Sequence, residues 1–244
     1  MTQLLIATNN QGKVQELKAL LSDLDIELVT PSQIGLDLDV VEDGTIYAEN
    51  ATKKAFAFAQ ASGLISLADD SGLEVDALDG EPGVYSARYG TLPPNPKYFG
   101  GAGEEQLLSF AERRKYLIKN LRGKPRPWTA RFRATVAIAI PPNVAQIPRA
   151  ERSGADSRVA KRIETKQHAV EAGDFRVTYT EGICEGEIIP EERGTGGFGY
   201  DPIFLLPELG KTMAELSMDE KNRLSHRARG VMKAKGILNE LFSK

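Results

Sequence analysis

The stretch SLADDSGLEVDALDGEPGVYSARYG, running from Ser66 to Gly90, decides how this chain is read. Ser66 to Ala68 continue an apolar run and read as the end of a buried strand. Asp69 and Asp70 follow at once, then Ser71 and Gly72. Neighbours at a strand end point to opposite sides. At most one of the two carboxylates then looks straight into a given cleft, while the other braces a turn. A carboxylate there, beside a hydroxyl and a glycine, suits a hard cation or an activated water. The same four residue types also favour turns, so the rest of the chain must choose between the two readings.

Composition narrows the choice. The 244 residues fit one large domain or two small ones and are ample for a core. A formal net charge of −3 provides no broad basic face, which argues against nucleic acid as a partner. No run approaches the ~18 apolar residues of a membrane span, and MTQLLIATNN lacks the basic start and apolar middle of a signal peptide. The single cysteine, Cys184, excludes an internal disulfide and a CxxC zinc site. These features lead us to expect a cytoplasmic protein that uses neither a membrane nor a nucleic acid.

Outward from Ser66, the chain alternates strands and helices. Gln3 to Ala7 is a short apolar strand that runs into Thr8, Asn9, Asn10, Gln11, Gly12 and Lys13. A helix follows with Val14, Leu17, Leu21 and Leu24 on one stripe. A strand, a polar glycine-bearing loop and a helix N-terminus make a natural anion cradle. It is not a Walker loop, which needs GxxxxGK[ST], and an ordinary Asn-capped turn fits the same residues. Glu27 to Val29 reads as a second strand, and the acidic loop after it carries Glu42. A helix from Thr45 to about Ser62 buries Tyr47, Ala51, Ala55 and Phe58, and Asn50 and Lys54 share a face beside that stripe.

Beyond Gly90 the Pro- and Gly-rich stretch to Gly103 reads as a loop. Glu104 to Leu121 reads as a helix with Leu107, Leu108, Ala111 and Leu117 inward. Thr129 to Ile140 alternates as a long half-buried strand. Pro141 to Gly173 has weak periodicity and charge of both signs, and reads as a surface excursion. Two further short strands are expected, one at Phe175 to Tyr179 and one at Glu185 to Ile189.

The stretch GTGGFGYDPIFLL, from Gly194 to Leu206, contains a GxGxxG, but an apolar strand follows it rather than a helix. That excludes a dinucleotide fingerprint. Its glycines suit close approach of backbone to a flat ligand, on which Phe198 could stack while Tyr200 and Asp201 line the edge. Core packing is the plainer role for Phe198. Ser217 and Glu220 form a capping box, and Lys221, Ser225, His226 and Arg227 then fall within two turns. Ser225 and His226 are sequence neighbours without a glycine elbow, so they are not a nucleophile pair.

Four separated motifs together carry a resemblance: ATNNQGK at Ala7–Lys13, ADDSGLEVDALDGEPGVYSARY at Ala68–Tyr89, GTGGFGYDPIF at Gly194–Phe204 and LSHRA at Leu224–Ala228. In this order they closely resemble the inosine triphosphate pyrophosphatases, the Ham1-like enzymes that hydrolyse noncanonical purine nucleoside triphosphates. The resemblance covers nearly the whole chain apart from the excursion. It implies a single α/β domain in two lobes: an elongated mixed β-sheet flanked by helices, with the nucleotide in a cleft and a homodimeric assembly. It further implies that Thr8, Asn9, Asn10, Gln11, Gly12 and Lys13 cradle the triphosphate and that Lys54 reaches it too. Glu42 and Asp70 would hold Mg²⁺, with Asp70 also catalytic and Ser71 beside it. Phe198, Gly199, Tyr200, Asp201, Lys221, His226 and Arg227 would bind the base.

These residue types suit the chemistry on their own terms. Triphosphate hydrolysis needs cations for the phosphates, carboxylates for Mg²⁺ and one carboxylate to direct a water. The choice of the α-phosphorus, giving monophosphate and pyrophosphate, comes from the resemblance alone. Hypoxanthine and xanthine present an acceptor oxygen at C6 where adenine presents a donor. Arg227 offers only donors, and such a mismatch discriminates by roughly 10²- to 10⁴-fold. A regulator that binds nucleotide without turnover would have no use for Asp70 with Glu42. Whether Asp69 or Asp70 acts as the base stays open at this level.

Overall fold

The computed structural model describes residues 2–90, 108–142 and 175–242. The expected excursion and the Pro/Gly-rich loop after Gly90 lie almost wholly outside that set. Seven strands form one mixed sheet in the order β2-β1-β3-β4-β5-β6-β7. They are β1 (Gln3–Ile6), β2 (Glu27–Val29), β3 (Ile65–Val75), β4 (Trp128–Ile140), β5 (Arg176–Ile188), β6 (Phe204–Leu206) and β7 (Lys211–Thr212). β1 pairs in parallel with both β2 and β3, whereas β6 pairs antiparallel with β5 and β7.

The chain divides into two compact units. The first comprises Met1–Asp70, Ala134–Gly182 and Arg227–Lys244, and the second comprises Ser71–Arg133 and Ile183–His226. In the first, helix α1 (Gln11–Leu20) and the C-terminal helix α5 (His226–Phe242) supply Val14, Leu17, Leu20, Val231, Ala234 and Leu238. These pack with Leu4, Ile6, Leu67, Val136 and Ile138. Each fully buried leucine there contributes on the order of 1.5–3 kcal/mol. Helix α2 (Tyr47–Ser62) packs Ala51, Ala55, Phe58 and Ala59 with Leu5, Ala7, Ala68, Ala137 and Ala139. These alanines bring helix and strands close together. The second half of β4 is therefore buried on both faces, not half-buried as its alternation suggested. Gly63, at φ +71, closes α2 in the left-handed conformation that glycine tolerates best.

The second unit has its own core, in which Leu73, Val75, Leu117, Leu121, Phe132, Cys184, Tyr200, Ile203 and Phe204 meet. Helix α3 (Phe110–Leu121) is shorter than its sequence pattern suggests. It starts behind a Ser109–Glu112 capping box, Ala111 is exposed, and Arg113, Leu117 and Leu121 form the inward stripe. Leu107, expected on that stripe, lies outside the described residues. Likewise β5 is one continuous strand of 13 residues rather than two short ones. A break at Ser225 (ψ 156) separates α4 (Met218–Leu224) from α5. Among the described residues, no helix is long and apolar enough to cross a membrane.

Candidate active site

The Asp69–Asp70 pair does not end a strand. β3 runs through it without interruption to Val75, so neither carboxylate braces a turn. What the alternation of a strand does dictate is that the two side chains find different partners. Asp69 is fully buried, and its Oδ2 accepts from Arg227 Nε at 3.0 Å and lies 3.4 Å from Lys13 Nζ. Asp70 Oδ2 accepts from Asn50 Nδ2 on α2 at 3.0 Å. Both lysines also donate to the Asp69 carbonyl, Lys13 at 3.3 Å and Lys54 at 3.4 Å. One peptide of β3 thus gathers a cation from α1 and another from α2.

Local sequence explains how these groups are held. Asn10 caps α1, and its side chain accepts from Lys13 N at 3.1 Å. The helix therefore begins at Gln11, inside what the sequence suggests is a loop. Thr8 is buried and accepts from Asn10 N at 3.2 Å, whereas Asn9, Asn10 and Gln11 are exposed. At the start of α2, Asn50 Oδ1 accepts from Gly44 N at 2.8 Å, which aims its amide nitrogen at Asp70. A side chain at position 44 would lie 2.6 Å from that oxygen, so glycine is required there. Glu42, just upstream, pairs with Lys54 at 2.8 Å.

Electrostatics separates the two aspartates. Burial pushes Asp69 up, but the charges of Arg227, Lys13 and Lys54 outweigh it and hold this carboxyl well below the usual range. Burial pushes Asp70 up as well; Lys13 and Lys54 oppose the shift and Glu42 adds to it, leaving its pKa above the ordinary value. Lys13 is shifted down, first by burial, with Asp69 opposing and Lys54 and Arg227 reinforcing. Arg227 also donates to Glu16 of α1, a short contact between two buried groups. Glu16 was not singled out from the sequence. The only hint was an acidic residue on the apolar side of α1, between Val14 and Leu17.

Among the described residues, no three acidic, histidine or cysteine side chains are clustered as a ready-made metal cage. The donor set nevertheless fits a hard divalent ion that keeps waters and phosphate oxygens as ligands, since such sites use only one or two carboxylates. The buried Asp69 Oδ1 has no hydrogen-bond partner among the described residues. Glu42 raises the pKa of Asp70, a mutual repulsion that a cation would relieve.

The remaining candidates sit in the second unit. Asp201 Oδ2 accepts from Phe198 N at 2.8 Å and from Lys221 Nζ at 2.7 Å, a buried ion pair. Lys221 Nζ also lies 5.2 Å from the centre of the half-buried Phe198 ring, within cation–π range. Gly197 (φ +69) has no room for a side chain, because a Cβ would fall 2.0 Å from Asp201 Oδ2. At Gly194 a Cβ would fall 2.5 Å from the Ala214 backbone. Gly194 and Gly197 thus serve the loop's own packing, whereas nothing lies within 4 Å of a Cβ added at Gly199. Tyr200 is buried, and its hydroxyl donates to Ser86 O at 3.0 Å. His226 is buried and stacks on Phe132 with centroids 4.8 Å apart. Gly199 and Ser71 are half-buried. Arg227, expected with the base-binding group, has its guanidinium on Asp69 and Glu16 in the first unit.

A mixed sheet that gathers two lysines, a buried aspartate pair and a glutamate around one strand defines a class: an α/β protein with a lysine- and carboxylate-bearing centre. The chain belongs to the Ham1 family, whose family model matches residues 4–237. It is 41% identical to a dITP/XTP pyrophosphatase of Desulforamulus reducens, over 98% of this chain and 97% of that protein. It is 39% identical to a dITP/XTP pyrophosphatase of Bacillus licheniformis, over 98% of this chain and all of that one. Among solved structures, the Staphylococcus aureus Ham1 protein superposes with a TM-score of 0.70 at 32% identity, covering 98% of each chain. A HAM1 protein from Coxiella burnetii also gives 0.70, at 31% identity, covering 98% of this chain and all of that one.

Proposed function

We propose that this protein is a nucleoside triphosphate pyrophosphatase that hydrolyses dITP, ITP and XTP to the monophosphate and pyrophosphate, clearing noncanonical purines from the nucleotide pool. The observation that carries this reading is the buried Asp70, raised in pKa and aimed by Asn50, beside two lysines converging on one peptide. Support for the substrate class comes from the relatives, which are named for it.

In this reading Lys13 and Lys54, with the Thr8–Lys13 segment, hold the triphosphate and neutralise charge that grows in the transition state. Asp70 accepts the proton of the attacking water. Asp69, kept ionised by Arg227, Lys13 and Lys54, is a poor proton acceptor, which leaves Asp70 as the base. Asp69 instead fixes the cations. Glu42 and Asp70 are the residues that would hold Mg²⁺, which when bound supplies positive charge to the phosphate oxygens. Water reaches the α-phosphorus, and pyrophosphate leaves. The Phe198–Asp201 loop, Lys221 and His226 receive the purine, with Phe198 as stacking surface. The Asp69–Arg227–Glu16 contacts give Arg227 a second role, as counter-ion to the catalytic strand. We place the enzyme in the cytoplasm as a homodimer, with no nucleic-acid partner.

The test is pyrophosphate release in Mg²⁺ buffer from ITP, dITP, XTP, GTP, ATP and dUTP. Fast release from the first three and little from the others is expected. Asp70→Asn should lower kcat by at least about 10²-fold, the scale of a lost general base. ITP binding without release from any substrate would instead favour a regulator.

A further inference from the structure

One side chain of α3 holds the aromatic loop of the second unit and has no part in the chemistry above. Arg114 donates through Nε and NH2 to the two carboxylate oxygens of Glu192, at 2.9 and 2.8 Å, and through NH1 to the Gly199 carbonyl at 2.8 Å. A guanidinium engaged by a fork of this kind is fixed in direction as well as position. The pairing with Arg114 also lowers the pKa of Glu192. Gly199 follows Phe198 directly. One turn earlier on α3, the Phe110 ring meets the Phe198 ring at 6.4 Å with a 41° tilt.

The loop needs such support from outside. Gly194, Gly196, Gly197 and Gly199 leave its backbone with little stiffness of its own, and Gly199 sits at φ +63. From within the loop and from α4, Asp201 and Lys221 fix the Phe198 amide and approach its ring. On the other flank the restraint comes from α3. We propose that Arg114 is a positioning residue for the purine: by tying the Gly199 peptide to α3 and to Glu192, it sets where the Phe198 ring stands before substrate arrives. This rests on the reading of Phe198 as the base platform.

The two claims are separable by experiment. Steady-state kinetics on ITP would be run for Arg114→Ala, Arg114→Lys and Phe198→Ala, with inhibition by inosine monophosphate and by pyrophosphate measured for each. We expect Arg114→Ala to raise KM for ITP about 10-fold with kcat within about twofold, as a lost binding contact does. Inhibition by inosine monophosphate should weaken by a similar factor, while inhibition by pyrophosphate stays unchanged. Arg114→Lys, which can keep only part of the fork, should fall between. Equal weakening toward both inhibitors would mean a general structural role and would overturn the proposal. So would an unchanged KM in Arg114→Ala alongside a raised KM in Phe198→Ala. An unchanged KM in Phe198→Ala would remove the platform reading itself, and the brace with it.

Discussion

Asp70 is asked to be both buried and ionised, and in the protein without divalent ions those demands conflict. Its folded pKa lies above the ordinary 3.8, chiefly through burial. For a carboxyl shifted in that direction, the stabilising contribution of the protonated form is fully present below pH 3.8 and is lost as pH rises through the folded value. At pH 7 the ionised group is therefore a burden. Asp70→Asn should melt roughly 2–4 °C higher than wild type at pH 7 in chelator, and the gap should close toward pH 4. Differential scanning calorimetry across pH would show it. Asp69 has the opposite sign. Its depressed folded value, set by burial outweighed by Arg227, Lys13 and Lys54, contributes stability above pH 3.8 that is lost as pH falls through the folded value. Glu16 belongs to the same network. Glu16→Ala leaves the buried Arg227 short of a counter-charge and should cost about 3–5 kcal/mol in urea unfolding, whereas exposed-surface substitutions cost far less.

At the level of elements, the cradle and the glycine loop differ in what made them readable. The β1–α1 junction follows from Asn10, a capping residue at a strand-to-helix step, and from the apolar spacing of Val14 and Leu17. The end of α2 follows from Gly63. The course of β3 did not follow from local residues. Asp, Ser and Gly favour turns, yet the strand passes straight through them because Leu73 and Val75 on its far side are buried in the second unit's core. Tertiary packing overrides propensity there, as it does in β5, where Gly182 interrupts the alternation without ending the strand. The Arg227–Glu16 contact joins residues 211 apart, so no local spacing could announce it. In the glycine loop, Gly194 and Gly197 leave room for Ala214 and Asp201, a packing demand that no local spacing announces. Gly197→Ala should therefore dislodge Asp201 and raise KM for ITP more than about 10-fold through lost hydrogen-bond geometry, measured by initial rates. Gly210→Ala, where nothing lies within 4 Å of an added Cβ, should leave KM unchanged and carry only the strain of a positive φ.

At the scale of the whole molecule, three clusters of buried residues support two units, and each unit carries one group of candidate site residues. The order of the four motifs along the chain was enough to place it in a family, while the contacts of Arg227 with Glu16 and Asp69 had no local signal. Light scattering should give twice the 26.6 kDa chain mass if the proposed homodimer forms. The claim on which the account turns is that a water directed by Asp70 attacks the α-phosphorus. Turnover of ITP in ¹⁸O-water, followed by mass spectrometry of the products, tests it directly. One heavy oxygen is expected in inosine monophosphate and none in pyrophosphate. Label in pyrophosphate, or in orthophosphate released with the diphosphate, would contradict it.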